Sequence, residues 1–347
     1  MNKLYIADVG SFVHNGRSTG HYIPLAQNYI DVLSGAFDVI VAGGPSYRES
    51  FHGEQFLELP YDTQGTGWKD RIHLFKNCIK LFKSAKGECI VLQQSSIVTA
   101  FIGIGLFFRK KSKLFVIEYS SSSINSSIKR LFYKLAKNKI DGILCPNEEV
   151  GKAFGRPYCV IPDYIYAGIT NTTVVPYDEK KYDLCIVGRI APEKGSAEVA
   201  RKYANSNIRL LIAGRPQSKE LGDELKTVCK GSSNIDLRLG FIEREDYERY
   251  FRESRYSILN YQREYSIRSS GVVFDTLFNG VPVIGKRCKA LQFIEDYGCG
   301  KLYDCIEDFD IEEFLSQDMF KQFIENIEAY KTSHVQYKKT LESFIKN

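Results

Sequence analysis

The stretch Gly188-Arg189-Ile190-Ala191-Pro192-Glu193-Lys194-Gly195 concentrates more usable chemistry than any other run of this 347-residue chain. It follows the apolar run Leu184–Val187 and leads straight into helical spacing, so a strand turns into a helix between two glycines. Gly188 lets the backbone turn sharply, and Gly195 permits close approach at the helix start. Arg189 and Lys194 then place two cations beside the positive end of that helix, a seat suited to a diphosphate. The same letters also fit a structural turn with two surface cations. A second anion seat is Arg268-Ser269-Ser270-Gly271, which heads a helix with free N–H groups, two hydroxyls and a guanidinium. Its plain alternative is a Ser N-cap. A Gly-rich loop from Gly10 to His21 carries His14, Gly16, Arg17 and His21 between a strand and a helix, as many Rossmann-like domains do. Glu118 and Tyr119 close another strand, where a carboxylate serves as acceptor or base, or is merely solvated.

These groups need a scaffold that gathers strand ends. Short β-branched runs alternate with helical stretches along the chain, the pattern of parallel sheets with crossover helices. Strands are expected at Leu4–Val9, Asp38–Ala42, Cys89–Gln93, Lys113–Glu118, Gly142–Cys145 and Cys159–Pro162, and again at Leu184–Val187, Arg209–Ala213, Ile235–Leu239, Tyr256–Leu259 and Val281–Ile284. Between the two sets, 167–181 lacks periodicity and reads as a linker. The expected organisation is an N-terminal Rossmann-like domain over 1–166, a second over 182–309, and a helical tail over 310–347 able to pack back on the first. Two α/β domains with parallel sheets would then face one another across a cleft, with ligands beyond the carboxyl ends of the strands.

Further motifs follow in fixed order: LLIAGRP (Leu210–Pro216), NIDLRLGFIEREDYERYFRESRYSILNY (Asn234–Tyr261), REYSIRSSGVVFDTLFNGVPVIG (Arg263–Gly285) and CGKLYD (Cys299–Asp304). With the Gly188–Gly195 turn, Tyr182–Asp304 resembles the nucleotide-sugar half of GT-B glycosyltransferases of the retaining family-4 type. The first half shares only the alternation and the Gly-rich loop. The resemblance implies that Arg189 and Lys194 grip the donor diphosphate, that Gly188 shapes this turn, and that Gly240 and Phe241 border the base. The family's acid pair precedes a G-x-P-V turn, here Gly280-Val281-Pro282-Val283, which puts Asp275 at the ribose position. The first acid's place holds Ile267, and Glu264 stands three residues early. Arg268, Ser269, Ser270 and Gly271 would supply anion contacts instead. Where the family carries a His near the donor sugar, this chain has Glu118 and Tyr119. Gly16, Arg17 and His21 match the loop facing the acceptor.

The implied activity is transfer of a sugar from UDP- or GDP-sugar to a glycan or lipid-linked glycan acceptor in cell-surface polysaccharide synthesis, with retention and without metal or other cofactor. The Asp308-Phe309-Asp310 triplet lies outside the donor region and is not taken as a metal site. A non-catalytic GT-B partner subunit and a nucleotide-sugar epimerase remain alternatives.

Composition narrows the remaining classes. A hydrophobic fraction of 44% with 26% charged residues is that of a globular chain and excludes wholesale disorder. Nine cysteines without a CxxC pair suggest buried thiols in a cytosolic protein. The start, MNKLYIADVG, reads as a strand rather than a leader, and the longest apolar run, Ile97 to Phe108, falls short of the ~20 residues of a membrane span. The net charge of +5 hides an asymmetry: residues 69–139 hold fifteen Lys/Arg against three acids, a net of +12. These cations flank helical apolar stripes (Ile72, Phe75, Ile79, Phe82; Ile128, Leu131, Phe132, Leu135), which favours an anionic surface such as the inner face of the cell membrane over nucleic acid.

Overall fold

The computed structural model describes residues 2–14, 17–18, 22–65, 67–93, 98–166, 175–262 and 270–347, with the side chains of His14, Arg17, Ser18 and Arg244 excepted. It divides into two units, one of Met1–Ile169 with His334–Asn347 and one of Thr170–Ser333.

In the first unit the elements run β1 (Lys3–Ala7), β2 (Val13–His14), β3 (Arg17–Ser18), α1 (Tyr22–Leu33), β4 (Asp38–Gly43), α2 (Pro45–Arg48), β5 (Gln55–Glu58), α3 (Trp68–Ser84), β6 (Cys89–Leu92), α4 (Val98–Phe107), β7 (Lys113–Ile117), α5 (Ser127–Lys137), β8 (Gly142–Cys145), α6 (Glu148–Phe154) and β9 (Tyr158–Val160). Seven of the strands form one parallel sheet in the order β5-β4-β1-β6-β7-β8-β9, and β2 pairs β3 as a small antiparallel ribbon. The central strands read as nearly unbroken apolar runs because both faces are covered. One face packs Leu74, Leu81, Phe101 and Ile104, and the other Leu25, Tyr29 and Val32.

The second unit runs β10 (Tyr182–Val187), α7 (Ser196–Tyr203), β11 (Leu210–Gly214), α8 (Lys219–Val228), β12 (Ile235–Leu239), α9 (Arg244–Arg252), β13 (Ser254–Leu259), α10 (Gly271–Phe278), β14 (Val283–Lys286), α11 (Gln292–Asp296), β15 (Gly300–Tyr303) and α12 (Gln317–Ser333). Its parallel sheet has the order β12-β11-β10-β13-β14-β15. Connections therefore reverse direction between β10 and β13, the switch point at which open α/β sheets open a crevice for ligand.

The stretch read as linker is structured in its second half. Tyr177 and Lys180 are buried, with the Tyr177 ring 5.4 Å from that of Phe320. An aromatic and a lysine stem have enough apolar surface to be drawn into a core without any periodic pattern. The chain end divides between the units. α12 buries Phe320 and Phe323 in the second core, while α13 (Val335–Lys346) belongs to the first unit, where Phe344 packs 5.4 Å from Phe115. The nine cysteines are all free, and only Cys305 is exposed. Among the described residues no helix is long and apolar enough to cross a membrane.

Candidate functional site

Three neighbouring strands of the second unit, β10, β11 and β12, end or turn on glycine: Gly188, Gly214 and Gly240. Gly188 has φ +107, a left-handed value that L side chains adopt only with strain. Gly214 is required by crowding, because a Cβ there would fall 1.7 Å from the Gly188 carbonyl oxygen. The turns are stitched in series: Gly188 N–H donates to Ala213 O at 3.0 Å, and Gly240 N–H to Gly214 O at 2.9 Å. The loops beyond them are zipped as well, with Ile190 N–H donating to Arg215 O and Gln217 N–H to Ile190 O. The Arg189 guanidinium donates to Gln217 Oε1 at 2.8 Å, which fixes its direction.

These turns floor a cavity of about 440 Å³ lined by Gly188, Arg189, Gly214, Arg215, Pro216, Gln217, Gly240, Phe241, Ile242 and Tyr247. Its lining includes two guanidinium groups and no carboxylate, so its surface is cationic. Phe241 is 69% exposed at its rim, an apolar ring left in water where a planar ligand can cover it.

The loop from Gly188 to α7 is braced against the far side of the switch point. Gln262 N–H donates to Glu193 O at 2.9 Å, and the Asn260 side chain donates to Gly195 O. Gly195 adopts φ +61, and a Cβ there would lie 2.5 Å from Asn260. Lys194 is half-buried in this loop. Burial, and next the Arg189 guanidinium, pull its ammonium down to about 8 against partial opposition from Glu193 and Asp275. An anion beside Lys194 would favour its charged form, although Lys194 itself does not line the cavity.

Asp275 lies on α10 and accepts a hydrogen bond from the Tyr247 hydroxyl at 2.8 Å. Burial, then this carboxylate, raise Tyr247 well above the usual phenol range, so the phenol stays protonated as the donor. Gly188 faces both helices, with a Cβ there lying 3.6 Å from Tyr247 and 3.7 Å from Val272. Ser270 precedes α10, but its hydroxyl bonds that of Tyr261 and does not cap the helix, so an anion there would meet backbone N–H groups of the first turn. Gly271 opens the helix and is exposed.

The remaining expected groups are distributed as follows. Arg268, Ser269 and Ile267 fall outside the described residues, as do Gly16 and His21, while Arg17 pairs with His14 in the β2–β3 ribbon. Glu118 and Tyr119 belong to the first unit, at the end of β7. The Glu118 carboxylate is buried and accepts from Ser123 Oγ at 3.0 Å, so it is withdrawn from solvent rather than presented at a strand tip. Tyr119 is half-buried, and burial raises its phenol well above the usual range. Sequence reasoning missed Gly214, Arg215, Gln217 and Tyr247 as site residues. For the first two a signal exists, since Gly-Arg follows an apolar strand at both Gly188 and Gly214. Among the described residues no three His, Cys, Asp or Glu side chains come together as a metal site.

Two parallel sheets of this strand order in tandem, with the last helix returning to the first unit, define the GT-B fold. The solved structures similar to this chain agree. AviGT4, a glycosyltransferase involved in avilamycin A biosynthesis, is 13% identical with a TM-score of 0.66, over 100% of this chain and 97% of its own. Anabaena Alr3699/HepE in complex with UDP and glucose is 14% identical with a TM-score of 0.67, over 99% and 100%. The catalytic domain of starch synthase IV from Arabidopsis thaliana, bound to ADP and acarbose, is 10% identical with a TM-score of 0.65, over 100% and 99%. No protein-family model and no curated protein sequence matches the chain.

Proposed function

We propose that this chain is a glycosyltransferase that moves a sugar from a UDP- or GDP-sugar to a glycan or lipid-linked glycan acceptor in cell-surface polysaccharide synthesis, with retention and without metal. The observation that carries the reading is the cavity at Gly188, Gly214 and Gly240, whose lining includes guanidinium groups and no carboxylate. Its support from fold-mates is that HepE is solved with UDP-glucose and starch synthase IV with ADP and acarbose.

Glycosyl transfer breaks a C–O bond through an oxocarbenium-like state while the nucleoside diphosphate departs with growing negative charge. Preorganised cations that meet this charge out of bulk water are the most effective help a protein offers. Arg189 and Lys194 are assigned that role, and Tyr247 holds Asp275 at the α10 side for a ribose hydroxyl. Phe241 covers the base. Tyr119, Gly16, Arg17 and His21 are assigned to the acceptor side, and Glu118, buried against Ser123, is assigned to holding that strand end rather than to touching the sugar.

The test is a panel of UDP-, GDP- and dTDP-sugars, assayed for released nucleoside diphosphate and for glycosylated acceptor. Release that depends on acceptor supports the assignment. No turnover with any donor contradicts it in favour of a binding subunit, and a product that is still a nucleotide sugar contradicts it in favour of an epimerase.

A further inference from the structure

The sequence of α5, SIKRLFYKLAK, spaces Ile128, Leu131, Phe132 and Leu135 as an apolar stripe, yet the residues the helix buries are Tyr133 and Ala136 on a different edge. Tyr133 and Ala136 point inward, with the Tyr133 hydroxyl donating to Phe154 O at 2.8 Å. Ile128, Leu131 and Leu135 stand in solvent, 68%, 59% and 52% exposed. The orientation is locked from α4, where a Cβ on Gly105 would lie 3.0 Å from Leu135 Cβ, and where Lys139 donates to Gly105 O and Phe108 O.

The same face continues over two more helices. Leu106 (63% exposed) and Phe107 end α4, the Phe107 ring lies edge-on 6.0 Å from Phe75 of α3, and Trp68 (74% exposed) and Ile72 begin α3. Seven of the ten large apolar side chains exposed among the described residues therefore sit on this one face, which makes it a patch rather than scatter. Exposed cations border it: Lys69 and Arg71 on α3, Arg109 and Lys110 after α4, Arg130 and Lys134 on α5.

We propose that this face docks on an anionic lipid bilayer, with Ile128, Leu131, Leu135, Leu106 and Trp68 entering the acyl boundary and the cations meeting lipid phosphates. The inference deepens the reading above, on which its purpose rests, by naming the surface that would bring the enzyme to a lipid-linked acceptor. A bilayer takes apolar side chains and neutralises basic ones together. A second copy would instead set like charges against each other.

The experiment is co-sedimentation with vesicles of phosphatidylglycerol and phosphatidylcholine, against pure phosphatidylcholine, over a salt series. Wild type is expected to pellet with the anionic vesicles and at least tenfold less on the neutral ones. Leu131→Ser with Leu135→Ser should cut binding at least tenfold, and Arg130→Ser with Lys134→Ser should weaken it and flatten its salt dependence. Unchanged melting temperature and nucleotide binding show that both variants fold. Wild type left in the supernatant, both variants pelleting like wild type, or a dimer in sedimentation velocity that the leucine variant dissociates would each overturn the proposal. Vesicle binding without sugar transfer would refute only the enzymatic reading.

Discussion

Lys194 is the side chain whose surroundings make the sharpest measurable difference. Its ammonium is charged below about 8 and loses its proton above that, because burial and Arg189 oppose the charge. Affinity for a nucleoside diphosphate should therefore fall as pH rises through 8, and Lys194→Met should remove that part of the dependence while weakening binding at pH 7; titration calorimetry across pH 6.5–9.5 reads both. Arg189→Ala should lower kcat by about 10²-fold or more, as expected when a preorganised donor to a developing anion is removed, with an unchanged melting temperature because Arg189 is exposed. Gly214→Ala acts on the backbone instead. A methyl group 1.7 Å from the Gly188 oxygen forces the two turns apart, so denaturant unfolding should show a loss of about 2 kcal/mol or more, and nucleotide binding should be lost with it.

Among the elements, α13 shows how a short helix is held by a few contacts. Phe344 lies against Phe115, and Gly142 leaves it room, since a Cβ there would fall 2.5 Å from its ring. Phe344→Ala should cost about 2 kcal/mol in equilibrium unfolding, and no change would mean that the helix is not docked there. Elements with strong local signals were legible in the sequence. α7 falls at Ser196–Tyr203, as its spacing after Gly195 predicts, and β8 at Gly142–Cys145. β5 and β15 were not. QFLE and GKLY are four-residue edge strands, formed because a neighbouring strand offers hydrogen bonds rather than because of their own pattern. The apolar stripe of α5 was legible as a stripe, but its exposure was not, because periodicity reports that a face is apolar and not what covers it.

Across the whole molecule, the α/β class and two parallel sheets were legible because alternation of strand and helix leaves few topologies open. The cationic turn at Gly188–Gly195 was legible for the same local reason: Gly, Arg and Lys at a strand–helix junction have a direct physical meaning. Gly240 and Phe241, which also line the cavity, were reached only through the family resemblance, and Arg215, Gln217 and Tyr247 were not reached. Tyr247 reaches the cavity from α9 only because β10, β12 and α10 converge there, and the burial of Glu118 depends on Ser123 folding over it. The account rests on a nucleoside diphosphate binding at the Gly188–Gly214–Gly240 turns. Calorimetric titration of UDP and GDP into the wild-type protein and the Arg189→Ala/Lys194→Ala variant tests this most directly. Saturable binding of at least one nucleotide, weakened tenfold or more in the variant, is the predicted result; no binding of either, or equal affinity in both proteins, would contradict it.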